Sequence, residues 1–422
     1  MRPLDIDYQC DFYHEIFKFM KKHPHLIQQA DELAQIAAQL SSETMIAVDT
    51  EFIRESTFFP GIQLLQIATD TESWLFDACF FKQKDPAGIR PLLDIFENPN
   101  ILKIFHAAQG DQECLYTNFQ AIASPSLDTA VAASLCGYGD SIGLASLLQK
   151  TLAVHLNKGH ARTDWSLRPL PEQLLDYAHA DVVYLVKLAS CLLNELDQLG
   201  RKLWALRLSG LSENPRLYQM DVEGITQRLL ASKKHKEQLY PVLFELVHWR
   251  EHRVRALDVP RKWIAEDRVL LDLAESRPQT LRHLEAFRGL KKGELKKSGE
   301  HILQAIQKGL RSSLPVELSR SQVTSPTPEE SKMMDLLRYY MGFLAEKHQI
   351  AAKHLFQASS LLSLIRSDIQ KEEELVQLGI LTADAARLVG KELMAMLRGE
   401  VALGIGGRAV RVMYRDEFDG LT

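Results

Sequence analysis

Cysteine is scarce. There are five in 422 residues, at positions 10, 79, 114, 136 and 191, and no two form a CxxC pair. The odd count and low density fit a reducing compartment, and the spacing excludes a zinc site built on cysteine. Long apolar runs are also missing. No stretch approaches the ~20 consecutive apolar residues of a membrane helix. The first residues carry Asp and aromatic side chains and lack a basic segment before an apolar one, which argues against a secretory signal. The expectation is a cytoplasmic protein with no membrane partner. What is present, 46% apolar and 25% charged residues, is the balance of a folded globular chain. At about 150 residues per domain, the length suggests two to four domains.

The net charge of −5 conceals an asymmetry. Residues 1–200 carry 14 Lys+Arg against 26 Asp+Glu, whereas residues 228–311 carry 19 against 11. An acidic block suited to cations, joined to a basic block suited to a polyanion, suggests two jobs. The alternative is two solubilising surfaces of different sign.

Residues 1–25 read as a short helical extension. Asp31 to Leu40 has helical spacing, with Leu33, Ile36, Ala37 and Leu40 on one face. Met45 to Val48 reads as a buried strand running into Asp49-Thr50-Glu51-Phe52. Residues 63–69, 73–77 and 100–106 read as further strands, with another near Pro125, and one long helix is expected from Glu172 to Leu199. Strands first and helices alternating later predict a mixed sheet flanked by helices over 26–210. Beyond about 210 the strand signals fade. Residues 228–311 read as all-helical, 312–331 as a Ser/Thr/Pro-rich linker, and 332–422 as a second helical domain. The segment from Leu243 resembles that from Leu336, and the segment from Leu270 resembles that from Leu361, which suggests a duplication.

Three acidic elements carry possible chemistry. Asp49 and Glu51 are i and i+2 at a strand end, so both point to one side. They repel each other unless a cation lies between them, and hard divalent cations take such oxygen ligands. Chance alone yields roughly seven such pairs in a chain this acidic, so the pair is not specific by itself. Asp181 sits in a helical stripe with Leu174, Tyr177 and Leu185, and an acid in an apolar stripe needs a metal, a buried Arg or a capping role. Asp111 opens a helix after the strand ending at His106, as an N-terminal cap or as a further acid reaching the same cations. Asp128 and Asp164 fit caps or turns, and Trp165 a packing anchor.

In order and context these elements resemble the ribonuclease D family, within the DEDD exonuclease superfamily, in its tyrosine-marked subgroup. The resemblance spans roughly 26–310. It rests on AVDTEF (47–52), QLLQIA (63–68), KIFHAAQGD (103–111), LDTAVAASLCGY (127–138), SIGLASLL (141–148), RTDWSLRPL (162–170) and QLLDYAHADVVYL (173–185). Residues 235–310, with PRKWIAEDRVLLDLA (260–274), resemble the HRDC module, and 332–400 a second, degenerate copy. The resemblance implies an RNase H-like α/β exonuclease domain followed by two all-α HRDC-like domains. It implies a 3′→5′ exoribonuclease that trims RNA, with 3′-extended tRNA precursors as partners; a monomer is expected. It further implies two divalent ions, Mg²⁺ or Mn²⁺, held by Asp49, Glu51, Asp111 and Asp181. Asp49 would bridge both ions, Glu51 and Asp181 would complete the ion that activates water, and Asp111 would act at the other. Tyr177 would orient the attacking water. The residue five before Asp181 is Asp176, so the histidine-marked subgroup does not fit, and His179 is off register. Phe52 would wedge against the terminal base, or else belong to the core. Lys158 and Arg162 would touch phosphates, or else be ordinary exposed charges. His106 is a further substrate-binding candidate. One departure is Gln112, where the family has an apolar residue. A DNA 3′→5′ exonuclease and an inactive nuclease fold used as an RNA scaffold are the alternatives.

Overall fold

The structure is a computed structural model that describes residues 24–156, 163–231, 233, 236–285, 287, 289–312, 326–407 and 409–414. The expectations for 1–23, for Lys158 and Arg162, and for most of the 312–331 linker therefore lie outside the described residues.

Six strands form one sheet: β1 (Leu26–Ile27), β2 (Met45–Ile53), β3 (Gly61–Ala68), β4 (Ser73–Phe76), β5 (Leu102–Phe105) and β6 (Ser126–Asp128). The order is β1-β4-β3-β2-β5-β6. β3 is antiparallel to both β2 and β4, while β5 runs parallel to β2 and β6. The mixed sheet flanked by helices is thus as the sequence predicts. Strand alternation sends Val48, Leu65 and Ile67 into one core, with Leu33, Leu92, Phe96, Phe105 and Leu115. Leu64 and Leu75 enter a second core with Trp165, Leu170, Leu174 and Ala178. The expected long helix is two, Glu172–Val182 and Leu185–Gln198. The break follows the β-branched pair Val182-Val183, which has lowered helix propensity.

Contacts divide the chain into two compact units. The first comprises the described residues of Met1–Asp128, Leu156–Ala189 and Leu208–Val323. It holds the sheet together with the helical stretch after 208. There, helices Val222–Leu230, Lys236–Leu257, Asp267–Ser276 and Lys292–Arg311 enclose a core of Leu243, Leu246, Leu270, Leu273, Ile302 and Ile306. Much of this stretch's positive charge is used internally. Glu251 is fully buried and binds Arg255 at 2.7 Å, Arg261 at 2.7 Å and the buried Arg250 at 3.2 Å. Arg253 pairs with Glu294, and Arg250 also with Asp267. These four arginines are ion-paired inside the module, which narrows the expectation that the basic block over 228–311 as a whole faces a polyanion. Lys262, Lys291, Lys296 and Lys297 are exposed.

The second unit comprises the described residues of Thr129–His155, Ser190–Arg207 and Thr324–Thr422. Its hub is the buried Arg201, which donates to the carbonyls of Leu135, His348 and Gln349. Its C-terminal part is not all helical, contrary to expectation. β7 (Val401–Gly406) and β8 (Ala409–Tyr414) form a hairpin, reached through Gly407 at φ +69°. Alternating apolar residues, and Gly407 at a turn position that needs positive φ, favour it.

The two helical stretches repeat an order of elements. A long helix ends before a left-handed residue, Asp258 (φ +49°) or Gln349 (φ +48°), and a four-residue helix follows, Arg261–Ile264 or Ala352–Leu355. Asp258 and Gln349 stand 91 positions apart, as do Leu270 and Leu361. The pairing of Leu243 with Leu336, 93 apart, is therefore corrected by two residues. At an offset of 91 positions, Arg250, Glu251, Arg255 and Arg261 correspond to Met341, Gly342, Glu346 and Ala352. The second stretch thus carries no counterpart of the Arg250–Glu251–Arg255–Arg261 cluster at these positions.

Candidate active site

The acids meet where β2 outruns its neighbour. β2 pairs with β5 only through Met45, Ile46 and Ala47, and β5 ends at Phe105. Ala107 then adopts φ +65° and turns the chain into the helix Gln109–Phe119. The Asp128 carboxylate fixes this turn by accepting from the amides of Ala107 and Ala108 at 2.9 and 3.0 Å. Asp128, the last residue of β6, thus holds the turn that follows β5. The turn delivers Asp111, in the first helical turn, to the edge of β2 that β5 has left open. One oxygen of Asp111 accepts from the Thr50 amide at 3.1 Å and the Thr50 hydroxyl at 2.6 Å. Gln112 needs no apolar replacement. Fully buried, it exchanges two hydrogen bonds with the Ala123 backbone, at 2.7 and 3.0 Å.

The helix Glu172–Val182 supplies the rest. Leu174 and Ala178 anchor it in the second core. Tyr177 and Asp181, one turn apart, are hydrogen-bonded to each other through the tyrosine hydroxyl. Carboxylate oxygens of Asp49, Glu51 and Asp181 all lie within 4.8 Å of one another. Asp111 adjoins this triad but is engaged with Thr50. Three of the four expected acids thus converge directly, and the fourth is attached to the residue between the first two.

Such crowding is electrostatically costly without a cation. Burial, then the charges of Asp111, Asp181 and Glu51, hold the Asp49 carboxyl well above the usual range. Glu51 is pushed up to about 8 by burial and by Asp181 and Asp111. Burial raises Asp111 to about 7 against the downward pull of the Thr50 hydrogen bonds, and raises Asp181 to about 6 against that of Tyr177. The Tyr177 hydroxyl is raised above its ordinary value by burial, then by the charges of Asp181 and Glu51. An all-oxygen, multiply anionic cluster of this kind fits a hard divalent cation.

The remaining candidates are placed as follows. Phe52 is half-buried, packs against the first core and lies beside Gly110. His106 is half-buried at the end of β5. Trp165 is buried, its ring centroid 6.2 Å from that of Tyr177. Asp164 caps a turn by accepting from Ser166, and His179 bonds Ser73 at 2.8 Å. Sequence reasoning missed Thr50. Its role depends on an unpaired strand edge, and no residue pattern announces one. It also missed the anchoring of the loop after Phe52. Asp258 accepts from the amides of Phe58 and Phe59, both at 2.9 Å, while Arg255 and Arg261 lie 4.6 and 4.9 Å from the Phe58 ring centre. Arg54 joins this loop to the Asp111 helix through Glu113 at 2.7 Å.

Residues 24–197 match the 3′-5′ exonuclease family, and residues 241–306 match the HRDC domain. The chain is 31% identical over 389 residues to ribonuclease D of Nitrobacter hamburgensis, covering 92% of this chain and 99% of that one. It is 31% identical over 391 residues to ribonuclease D of Zymomonas mobilis, covering 92% and 97%. Among solved structures, Escherichia coli RNase D, an exoribonuclease involved in structured RNA processing, superposes with a TM-score of 0.72 at 25% identity, covering 90% of this chain and 99% of that one.

Proposed function

Since this chain belongs to the ribonuclease D family and is a 3′→5′ exoribonuclease of the DEDD type, we propose that its substrates are tRNA precursors with 3′ extensions, shortened at a site built by Asp49, Glu51, Asp111, Asp181 and Tyr177. The observation that carries the site is the triad of carboxylates within 4.8 Å, with Tyr177 bonded to its third member. Asp49, Glu51 and Asp181 would hold one divalent ion, and Asp111, with Asp49, would serve a second, with Mg²⁺ or Mn²⁺ as candidates. Such ions, when bound, lower the pKa of water and neutralise a departing oxygen in an in-line displacement.

The chain's own groups account for the rest. The Tyr177 hydroxyl, held above its ordinary pKa, stays protonated at neutral pH, so it orients water by hydrogen bonding and does not act as a bulk base. Thr50 holds Asp111 in place through one carboxylate oxygen. Phe52, at the register shift directly after Glu51, offers an apolar surface for the terminal base. The exposed Lys262, Lys291, Lys296 and Lys297 suit the RNA backbone.

The test is an assay of 3′-extended tRNA and single-stranded DNA of equal length, each with and without Mg²⁺. Mg²⁺-dependent shortening of the tRNA from its 3′ end, faster than that of DNA, is the expected result. Equal or faster loss of DNA would favour the DNA exonuclease reading, and shortening that persists in EDTA would remove the site.

A further inference from the structure

β3 carries a polar residue with no evident structural purpose. In GIQLLQIA, Gln66 stands between Leu65 and Ile67 and is fully buried. Among the described residues neither its Nε2 nor its Oε1 has a hydrogen-bond partner. Buried side-chain amides are nearly always satisfied, so an orphan of this kind calls for an explanation. Register supplies one. In the ladder Gln66 lies directly opposite Asp49 on β2 and opposite Leu75 on β4. Directly paired residues of an antiparallel ladder place their side chains on one face, roughly 5 Å apart at Cβ. Leu64, two residues earlier and so on the same face, belongs with Leu75, Trp165, Leu174 and Ala178 to the apolar core there. Asp49 is therefore the polar group directly across the ladder from the unsatisfied Gln66 amide.

We propose that Gln66 is a positioning residue for Asp49: its carboxamide N–H donates to the Asp49 carboxylate when that carboxylate is ionised and engaged with a cation. Carboxylates that ligate metals are commonly oriented by a hydrogen bond from outside the ligand set. Thr50 plays that part for Asp111, and Tyr177 does so for Asp181. Gln66 gives Asp49 the corresponding donor, so that each of these three acids has its own neighbour. The inference rests on Asp49 being a cation ligand, as proposed above.

The experiment uses the full-length protein, with Mn²⁺ binding followed by electron paramagnetic resonance and thermal melting recorded in EDTA. The variants are Gln66→Leu, Gln66→Met, Asp49→Asn and Gln66→Leu combined with Asp49→Asn. Gln66→Leu and Gln66→Met are expected to melt no lower than the parent in EDTA, because an unsatisfied amide is removed. They are expected to weaken Mn²⁺ binding by roughly 10–100-fold. In the Asp49→Asn background, Gln66→Leu should add little. A Mn²⁺ affinity within twofold of the parent in the Gln66 variants, while Asp49→Asn weakens it, would overturn the proposal and leave the site intact. An unchanged affinity in Asp49→Asn itself would instead overturn the site. Lower melting of both Gln66 variants together with weaker binding would make Gln66 a packing residue, also overturning the proposal.

Discussion

Four crowded carboxyls tie the stability of the cation-free protein to pH. Each binds its proton more tightly in the folded chain than in the unfolded one. Between the unfolded value of 4.5 and the folded value of about 8, the native Glu51 retains a proton that the unfolded chain has released. Asp111, at about 7, and Asp181, at about 6, behave alike over narrower windows. The folded state binds more protons there, so stability is greatest at acidic pH and falls as pH rises from about 5 to 8. Glu51 alone sets a ceiling of about 5 kcal/mol, at 1.36 kcal/mol per pH unit. Water and relaxation around a half-buried group reduce that, and about 2–3 kcal/mol is expected for the cluster. In melting temperature this is roughly 5–10 °C for a domain of this size. Melting in EDTA, measured from pH 5 to 8 for the parent and for Asp49→Asn combined with Glu51→Gln, checks it. Subtracting the variant's slope removes contributions from groups elsewhere. Added Mg²⁺ should raise the parent's melting temperature more at pH 8 than at pH 5.5, because binding at the lower pH must displace protons. An identical slope in the two proteins, or an equal Mg²⁺ shift at both pH values, would refute the electrostatic account of the cluster.

Asp49→Asn with Glu51→Gln should abolish trimming while leaving the affinity for 3′-extended tRNA within a few-fold, as read by filter binding beside a time-course gel. Tyr177→Phe should lower kcat about 10–100-fold with little change in KM, because it removes a water-orienting hydroxyl and no substrate contact. A matching loss in KM would argue against that role. Asp258→Ala leaves the amides of Phe58 and Phe59 without their shared acceptor. It should destabilise the loop by about 1–3 kcal/mol and speed hydrogen exchange at residues 58–59, while distant amides stay protected. Replacing Lys262, Lys291, Lys296 and Lys297 by Ala should flatten the salt dependence of RNA binding by up to about three in log–log slope. Replacing the internally paired Arg253 should leave that slope unchanged.

Much of this was legible in the residues, for identifiable reasons. Short apolar runs marked β2 and β3, and the i, i+2 spacing of Asp49 and Glu51 set both on one face of the strand. The i, i+4 spacing of Tyr177 and Asp181 likewise fixed their shared side of a helix. The break between the helices ending at Val182 and beginning at Leu185 was not legible, because helical spacing runs through it. Nor was the β7–β8 hairpin, whose short strands follow a long helical stretch. The net charge of residues 228–311 was read correctly as a number but not as a surface. Whether an arginine faces solvent or a buried Glu251 depends on which helices pack together.

The sequence by itself determined the chemistry available: which acids stand at which spacing, on which kind of element, and within which family. Only the tertiary structure decided how they meet. β5 parts from β2 after Ala47, so the Thr50 amide is open to Asp111, and the helix Glu172–Val182 lies so that Asp181 comes within ligand distance of the strand acids. The physical reason is that sequence periodicity fixes the direction of a side chain within its own element. The distance between carboxylates 132 positions apart, as Asp49 and Asp181 are, is set by the packing of separate elements on a shared core.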